Sequence, residues 1–223
     1  MIIPKAPPDG KQVPVFAVED NLATLRALAK QLSAQPEVRL VGTAASGEEA
    51  LRLVEAAAPR VVLMDLELPG ASGIETTRAL KERDLPYDVL VLTSFEDEEH
   101  VFQAMRAGAS GYVVKGASGA RLCQAILEVD AGGTVFEPRL AKRFWQFFKG
   151  VQAPPQPGPL LTEMEKEILF AIAKGLSNAE VGQVVHIDRR TVRTHLGHIY
   201  EKLGVRSHVA AVVEALKRGL VEL

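Results

Sequence analysis

The stretch "RVVLMDLELPG", Arg60 to Gly70, decides how the first half of the chain folds. Val61, Val62, Leu63 and Met64 are apolar without alternation, the pattern of a strand buried on both faces of a parallel sheet. The run stops at a carboxylate, Asp65, followed by Glu67 and the turn pair Pro69-Gly70. Taken alone, Asp65 reads as a turn former or a helix cap. A charge on the end of the most apolar strand nevertheless asks for a counter-charge or a chemical task.

Working outward, the same alternation of apolar runs and amphipathic stretches fills the first 130 or so residues. Val13–Val18, Val38–Thr43, Val61–Asp65, Val89–Thr93 and Gly111–Lys115 read as five short strands. Helical patterns lie between and after them, at Asn21–Ser33, Gly47–Ala57, Ile74–Glu82, Glu98–Ala107 and Ser118–Ala131. Strict alternation with short connections predicts an α/β fold, a doubly wound five-stranded parallel sheet with helices on both faces. Such sheets place ligands at the carboxyl ends of their strands, near a switch in strand order.

The sheet module spans residues 12–132, and residues 133–159 read as a linker. The linker holds a short helix candidate, "RLAKRFWQFFKG", with the one Trp, and then the Pro/Gly-rich "VQAPPQPGP". From residue 160 to 223 the pattern is purely helical, a small all-α helix-turn-helix domain. Composition fits two globular domains: 47% hydrophobic, 24% charged, formal net charge -2 over 223 residues. That balance argues against a uniformly basic nucleic-acid binder but leaves room for a local basic patch. The single cysteine, Cys123, closes no internal disulfide, and no Cys/His spacing matches a zinc site. The start "MIIPKAPPDGK" lacks a signal-peptide core and no run spans a membrane, so a soluble, cytoplasmic protein without membrane partners is expected.

In a parallel sheet the strand ends converge. They deliver Glu19 and Asp20, then Asp65, then Thr93 with Ser94, then Lys115. Three carboxylates raise one another's pKa unless a strong counter-charge joins them. An oxygen-bound Mg2+ supplies it, and Lys115 adds a compact positive charge suited to phosphate. Asp65 is then placed as the nucleophile for a phosphoryl group.

"VFAVEDN", "VVLMDLELPGASGIE", "VLVLTSF" and "AGASGYVVKGAS" resemble the flavodoxin-like receiver domain of two-component response regulators. The resemblance implies that Asp65 accepts the phosphoryl group of a sensor histidine kinase. It implies Mg2+ bound by Glu19, Asp20, Asp65 and the backbone carbonyl of Glu67. Thr93 would donate its hydroxyl to the phosphoryl oxygens, and Tyr112 would repack when Thr93 moves. Glu19 departs from the commoner aspartate by one methylene. Gly116 stands where many receivers carry a proline behind a cis bond. A non-proline cis bond costs about 3 kcal/mol, so a trans bond is expected here.

In the second module, Thr162 and Glu165 spell a capping box, Gly175 ends the first helix, and Ser177 or Asn178 caps the second. Asp188 is placed to cap a third helix running to Leu203, with Val192, Leu196, Ile199 and Leu203 on its buried face. Between Arg189 and Arg206, five basic residues (Arg189, Arg190, Arg193, Lys202, Arg206) against one acidic (Glu201) leave a net +4. That is a phosphate-facing patch in a nearly neutral chain.

"GLSNAEV", "TVRTH" and "KLGV" resemble the LuxR-type DNA-binding domain. The resemblance implies that the helix from Arg189 enters the major groove of double-stranded DNA, with Arg193 and Thr194 reading bases. Arg190, His195, Lys202, Ser177 and Asn178 would take phosphates. Val209, Val212, Val213 and Leu216 would form a homodimer contact, made on phosphorylation or DNA binding. Gly197, at a commonly basic position, makes no side-chain contact; Met164 and His208 replace arginines.

The sequence thus predicts a phosphorylation-switched transcription regulator rather than an enzyme. A phosphatase using its own aspartyl phosphate would carry a second aspartate two residues after the nucleophile, where this chain has Glu67. A constitutive DNA binder with an inert receiver-like platform has no use for Asp20, Asp65, Thr93 and Lys115 together.

Overall fold

β1 (Val13–Val18), β2 (Val38–Ala44), β3 (Val61–Asp65), β4 (Asp88–Thr93) and β5 (Gly111–Val114) pair in parallel in the order β2-β1-β3-β4-β5. They alternate with α1 (Leu22–Ser33), α2 (Gly47–Ala57), α3 (Gly73–Glu82), α4 (Glu98–Ala107) and α5 (Gly119–Asp130). The computed structural model describes residues 12–83, 87–94, 98–135, 161–174, 176–205 and 207–221; for Glu98, Leu216 and Lys217 it describes the backbone alone. The linker helix candidate, Gly175 and Arg206 lie outside the described residues.

Every residue of β3 is buried, because β1 and β4 flank it and helices cover both faces. Alternation along the strands sorts the core. Phe16 and Val18, Val62 and Met64, and Val89 point to one face and pack beneath Ala50 and Val54 of α2 and Leu80 of α3. α5 packs against β1, β3, β4 and β5 and meets α1. The strand order reverses between β1 and β3, so Glu19 and Asp65 leave the sheet on either side of its switch point.

Element ends differ from the sequence reading by a residue or so, for local reasons. α1 starts at Leu22 because the Asn21 side chain stays outside as its cap, accepting from the Ala23 and Thr24 amides at 2.9 and 3.1 Å. α3 opens with a capping box between Ser72 and Glu75. β5 stops at Val114 and leaves Lys115 just past the strand. All described peptide bonds are trans, including the one before Gly116, whose φ of 86° is in the left-handed region.

The second compact unit, from Ala131 onward, comprises α6 (Glu163–Ala173), α7 (Asn178–Val184), α8 (Arg189–Leu203) and α9 (His208–Lys217). Its core gathers Ile168, Leu169 and Ile172 from α6, Val181 from α7, Val192, Leu196, Ile199 and Leu203 from α8, and Ala211 and Ala215 from α9. Thr162 with Glu165 and Ser177 with Glu180 form capping boxes, so Ser177 and not Asn178 caps α7. Asp188 caps α8 by accepting from the Arg190 and Thr191 amides, and Gly204 (φ 69°) ends it. No helix among the described residues is long and apolar enough to cross a membrane.

Two backbone positions yield opposite predictions. A Cβ at Gly73 would sit 1.9 Å from the Asp65 carbonyl oxygen, where the loop after β3 folds back so that Gly73 N–H donates to Leu66 O (3.1 Å). Gly73→Ala should cost 1–3 kcal/mol or more, as backbone rather than a yielding side chain must move. Ala58, by contrast, caps α2 at φ 45°, a conformation costing an L-residue about 1–2 kcal/mol. Part of that cost is offset by the greater freedom glycine loses on folding, so Ala58→Gly should gain up to about 1 kcal/mol. Thermal unfolding checks both, at about 2–4 °C per kcal/mol for a chain of this size.

Candidate functional site

Asp65, the last residue of β3, is 2% exposed, and Glu19, the first residue after β1, is 1% exposed. One ammonium serves both. Lys115 Nζ lies 2.7 Å from Asp65 Oδ2 and 3.1 Å from Glu19 Oε2. The Lys115 amide donates to the Thr93 carbonyl (2.7 Å), which carries the register of the sheet into the loop that supplies the ammonium. Asp65 Oδ1 accepts from the Glu67 amide at 3.3 Å, while the Glu67 side chain is exposed. Thr93 is buried and donates its hydroxyl to Ser94 O at 3.1 Å; Tyr112 is also buried. Glu19, Asp20, Asp65, Thr93 and Lys115 thus stand at or beside the carboxyl edge of the sheet, while Tyr112 lies within β5, paired with Val91.

Burial, and next the Asp65 charge, push the Glu19 carboxyl above its ordinary range despite Lys115. For Lys115, burial alone would lower the pKa, but hydrogen bonds and charge from Asp65 and then Glu19 outweigh it and raise it. The pocket is therefore short of positive charge. Glu19, Asp20 and Asp65 each offer one oxygen, all within 4.8 Å of one another. Glu19 Oε2 is buried and has an ion pair but no aligned hydrogen bond. An acidic, all-oxygen donor set fits a hard divalent cation. Cys123 plays no part: burial, and next Glu37, push its thiol up to about 11.

On the helical unit, α8 turns Val192, Leu196, Ile199 and Leu203 inward. Arg190 and Thr194 are exposed, and Arg189, Arg193 and His195 are partly exposed. Thr194 Oγ1 donates back to Arg190 O (3.3 Å). Ser177 is half-buried, its hydroxyl engaged with Glu180 (2.8 Å).

Three sequence assignments need correction. Asn178 does not present its side chain to a phosphate: it is 1% exposed, with Oδ1 2.9 Å from His208 Nε2. His208 Nδ1 in turn meets the Tyr200 hydroxyl at 2.7 Å, so these three side chains tie α7, α8 and α9 together. Lys202 is not held out to solvent either. Its Nζ donates to both Glu165 oxygens, at 2.9 and 2.7 Å. On α9, Val213 is buried and Val212 packs against the unit's own core, leaving Val209 partly exposed; the Leu216 side chain is outside the described residues. Val209, Val212 and Val213 do not form one open apolar face.

The family model of the response regulator receiver domain matches residues 15–127, and that of the luxR family of bacterial regulatory proteins matches residues 159–215. Response regulator protein VraR of Staphylococcus aureus (strain Mu3 / ATCC 700698) is 35% identical over 211 residues, covering 94% of this chain and 99% of VraR. The chain belongs to the two-component response regulators of the LuxR family. Among solved structures, response regulator ChrA of a heme-sensing two-component system is 31% identical, with a TM-score of 0.52 over 94% of this chain and 99% of ChrA. A LuxR-family two-component response regulator from Aurantimonas sp. SI85-9A1 is 32% identical, with a TM-score of 0.56 over 61% of this chain and 98% of that one.

The sequence did not reveal the internal anchors of this regulator's DNA-binding unit. Glu165 was legible as half of a capping box, which its Oε2 does form with the Thr162 amide (2.7 Å), but its pairing with Lys202 was not. Arg218 was unassigned; it donates to Leu203 O (3.1 Å) at the end of α8 and pairs with Glu214 (2.7 Å). No local pattern announces either.

Burial would raise the Glu165 carboxyl, but Lys202, the Thr162 amide and the Thr162 hydroxyl outweigh it and hold it below the ordinary 4.5. Stability from a lowered carboxylate is present above the unfolded value and is lost as pH falls through the folded one. Glu165→Gln keeps the cap and removes the charge. It should cost roughly 1–3 kcal/mol at neutral pH. The difference from the parent chain should shrink as pH drops below 4.5 and through the lower folded value. Denaturant unfolding across that range checks the sign.

Proposed function

We propose that Asp65 is the phosphoacceptor of this two-component transcription regulator, and that the phosphoryl group comes from the phosphohistidine of a cognate sensor kinase. A carboxylate oxygen of Asp65 bonds to phosphorus as the P–N bond breaks, and the imidazole nitrogen leaves with the bonding pair. The observation that carries the reading is the single ammonium of Lys115, 2.7 Å from Asp65 and 3.1 Å from Glu19 at the switch point of the sheet. Held there, Lys115 faces the charge that develops on the transferring group. Glu19, Asp20, Asp65 and the Glu67 carbonyl would hold Mg2+, which when bound neutralises phosphoryl oxygens. Thr93 would give up Ser94 O to donate to the new phosphoryl group, with Tyr112 moving in response.

Residues 12–132 form the receiver and 160–223 the DNA-binding domain in this reading, joined by 133–159. α8 enters the major groove. Arg193 and Thr194 read bases, while Arg189, Arg190, His195 and Ser177 contact or approach phosphates. A second copy would meet this one on the α9 side, through Val209, when the protein is phosphorylated or DNA-bound. The regulator works in the cytoplasm, where its kinase's catalytic domain and DNA are both present.

A small-molecule phosphoryl donor with Mg2+ tests the reading. Intact mass should rise by one phosphoryl group in the parent chain and not in Asp65→Asn. Lys115→Met should slow the gain by about 10- to 1000-fold, the scale of losing one electrostatic stabiliser. Thr93→Ala should accept the group yet lose any change in DNA affinity that follows it. Equal mass gain in parent and Asp65→Asn would sink the assignment.

A further inference from the structure

We propose that Glu165 is a positioning residue for DNA reading: its ion pair with Lys202 fixes the rotation of α8 about its own axis. The inference rests on α8 being the helix that enters the groove. Burial of Val192, Leu196, Ile199 and Leu203 decides which side of α8 faces the core. Hydrophobic contact is non-directional, however, and tolerates small rotations of a helix on its apolar stripe. An ion pair on the flank does not. At 100° per residue, Lys202 falls about a quarter-turn from the middle of that stripe, on the side where α6 carries Glu165. Both Glu165 oxygens lie within 2.9 Å of Nζ, the Glu165 side chain is 4% exposed, and Oε2 is held a second time by the Thr162 amide. The carboxylate is thus fixed in α6 before it fixes α8.

The ends of α8 are held separately. Asp188 caps the start, and Arg218, itself oriented by Glu214, bonds to Leu203 O at the finish. Those bonds set the position of the helix along its axis; the Glu165 pair sets its azimuth. Azimuth matters more than usual in this chain. Gly197 is exposed and has no side chain to offer, so reading falls to Arg193 and Thr194, close together near the start of the helix. Side chains held by a rigid supporting contact keep their geometry within the small tolerance recognition needs. Lys202 then acts inside the domain, and its charge is not one of those spent on phosphate.

The test uses the full-length chain, in whichever phosphorylation state binds DNA more tightly, with a duplex it has enriched from a random pool and a scrambled duplex. Affinity for each is measured across a salt series. Glu165→Gln keeps the capping acceptor, Lys202→Met keeps the aliphatic stem, and Lys202→Arg keeps the pair. The first two should each lower the preference for the enriched duplex about tenfold, near 1.4 kcal/mol, with the salt slope unchanged. Lys202→Arg should retain the preference. Unchanged preference in Glu165→Gln and Lys202→Met overturns the inference. So does a salt slope reduced by about one in Lys202→Met with preference intact, the mark of a direct phosphate contact. No preference in the parent chain would overturn the reading of α8 itself, and this inference with it.

Discussion

Two buried carboxylates sharing one ammonium is the constraint around which the receiver is arranged. Glu19 and Asp65 are almost wholly enclosed, and among the described residues Lys115 is the cation that reaches both. Buried charge of one sign is tolerated only with a partner and well-directed hydrogen bonds. The fold supplies these by topology. The β2-β1-β3-β4-β5 order puts β1 beside β3, so Glu19 and Asp65 emerge as neighbours. The β4–β5 pairing then delivers Lys115 one step past the sheet, its amide on Thr93 O. Gly73 lets α3 start close under Asp65, because any side chain there would meet the backbone that ends β3. Capping at Asn21 and Ser72 fixes where the helices beside the pocket begin.

The DNA-binding unit solves a different problem with weaker materials. It is small, so a short apolar stripe on each helix must do the packing. Directional contacts add what packing leaves loose. Asp188, Gly204, Glu165 and Arg218 each act on α8. The Tyr200–His208–Asn178 chain joins α7, α8 and α9. The consequence for recognition is a division of charge. Lys202 is paired inside the domain, while Arg190 at the start of α8 is exposed.

How far the sequence could be read follows from the range of each interaction. Strands and most helix limits were legible because apolar periodicity and caps are local: Thr162 and Asp188 each mark a helix start within a few residues. The pocket was legible because a parallel sheet converts five strand ends, far apart in sequence, into one edge. Lys202 and Asn178 were misread for the opposite reason. Their partners, Glu165 and His208, lie 37 and 30 residues away with no sheet register to announce the meeting. A lysine on a basic helix looks like a phosphate ligand until a buried carboxylate is found beside it. The expected dimer contact on α9 met a similar limit, since Val213 shares apolar character with such a contact but is buried, and Val212 is partly buried against the unit's own core.

In the proposed reading, the same charge shortage that shapes the receiver would let phosphorylation switch it. Among the described residues, three carboxylates against one ammonium leave two formal negative charges in the pocket. A divalent cation balances them. A phosphoryl group on Asp65 then adds roughly one further negative charge, because an acyl phosphate carries about -2 where the carboxylate carried -1. That excess calls for a new donor, and the buried hydroxyl at the end of β4, Thr93 Oγ1, donates to Ser94 O. It can serve only one acceptor at a time. In the proposed reading the choice between Ser94 O and a phosphoryl oxygen is therefore discrete, and the two positions of the Thr93 hydroxyl would be alternatives rather than degrees of one motion. A ligand shifts such an equilibrium only by its differential interaction with the two states. Here the difference is one charge-assisted hydrogen bond gained against one neutral bond lost, a bias of about 1–2 kcal/mol. That shifts a population several-fold and leaves the rest of the switch to whatever Tyr112 and the α4 side of the sheet gain by repacking.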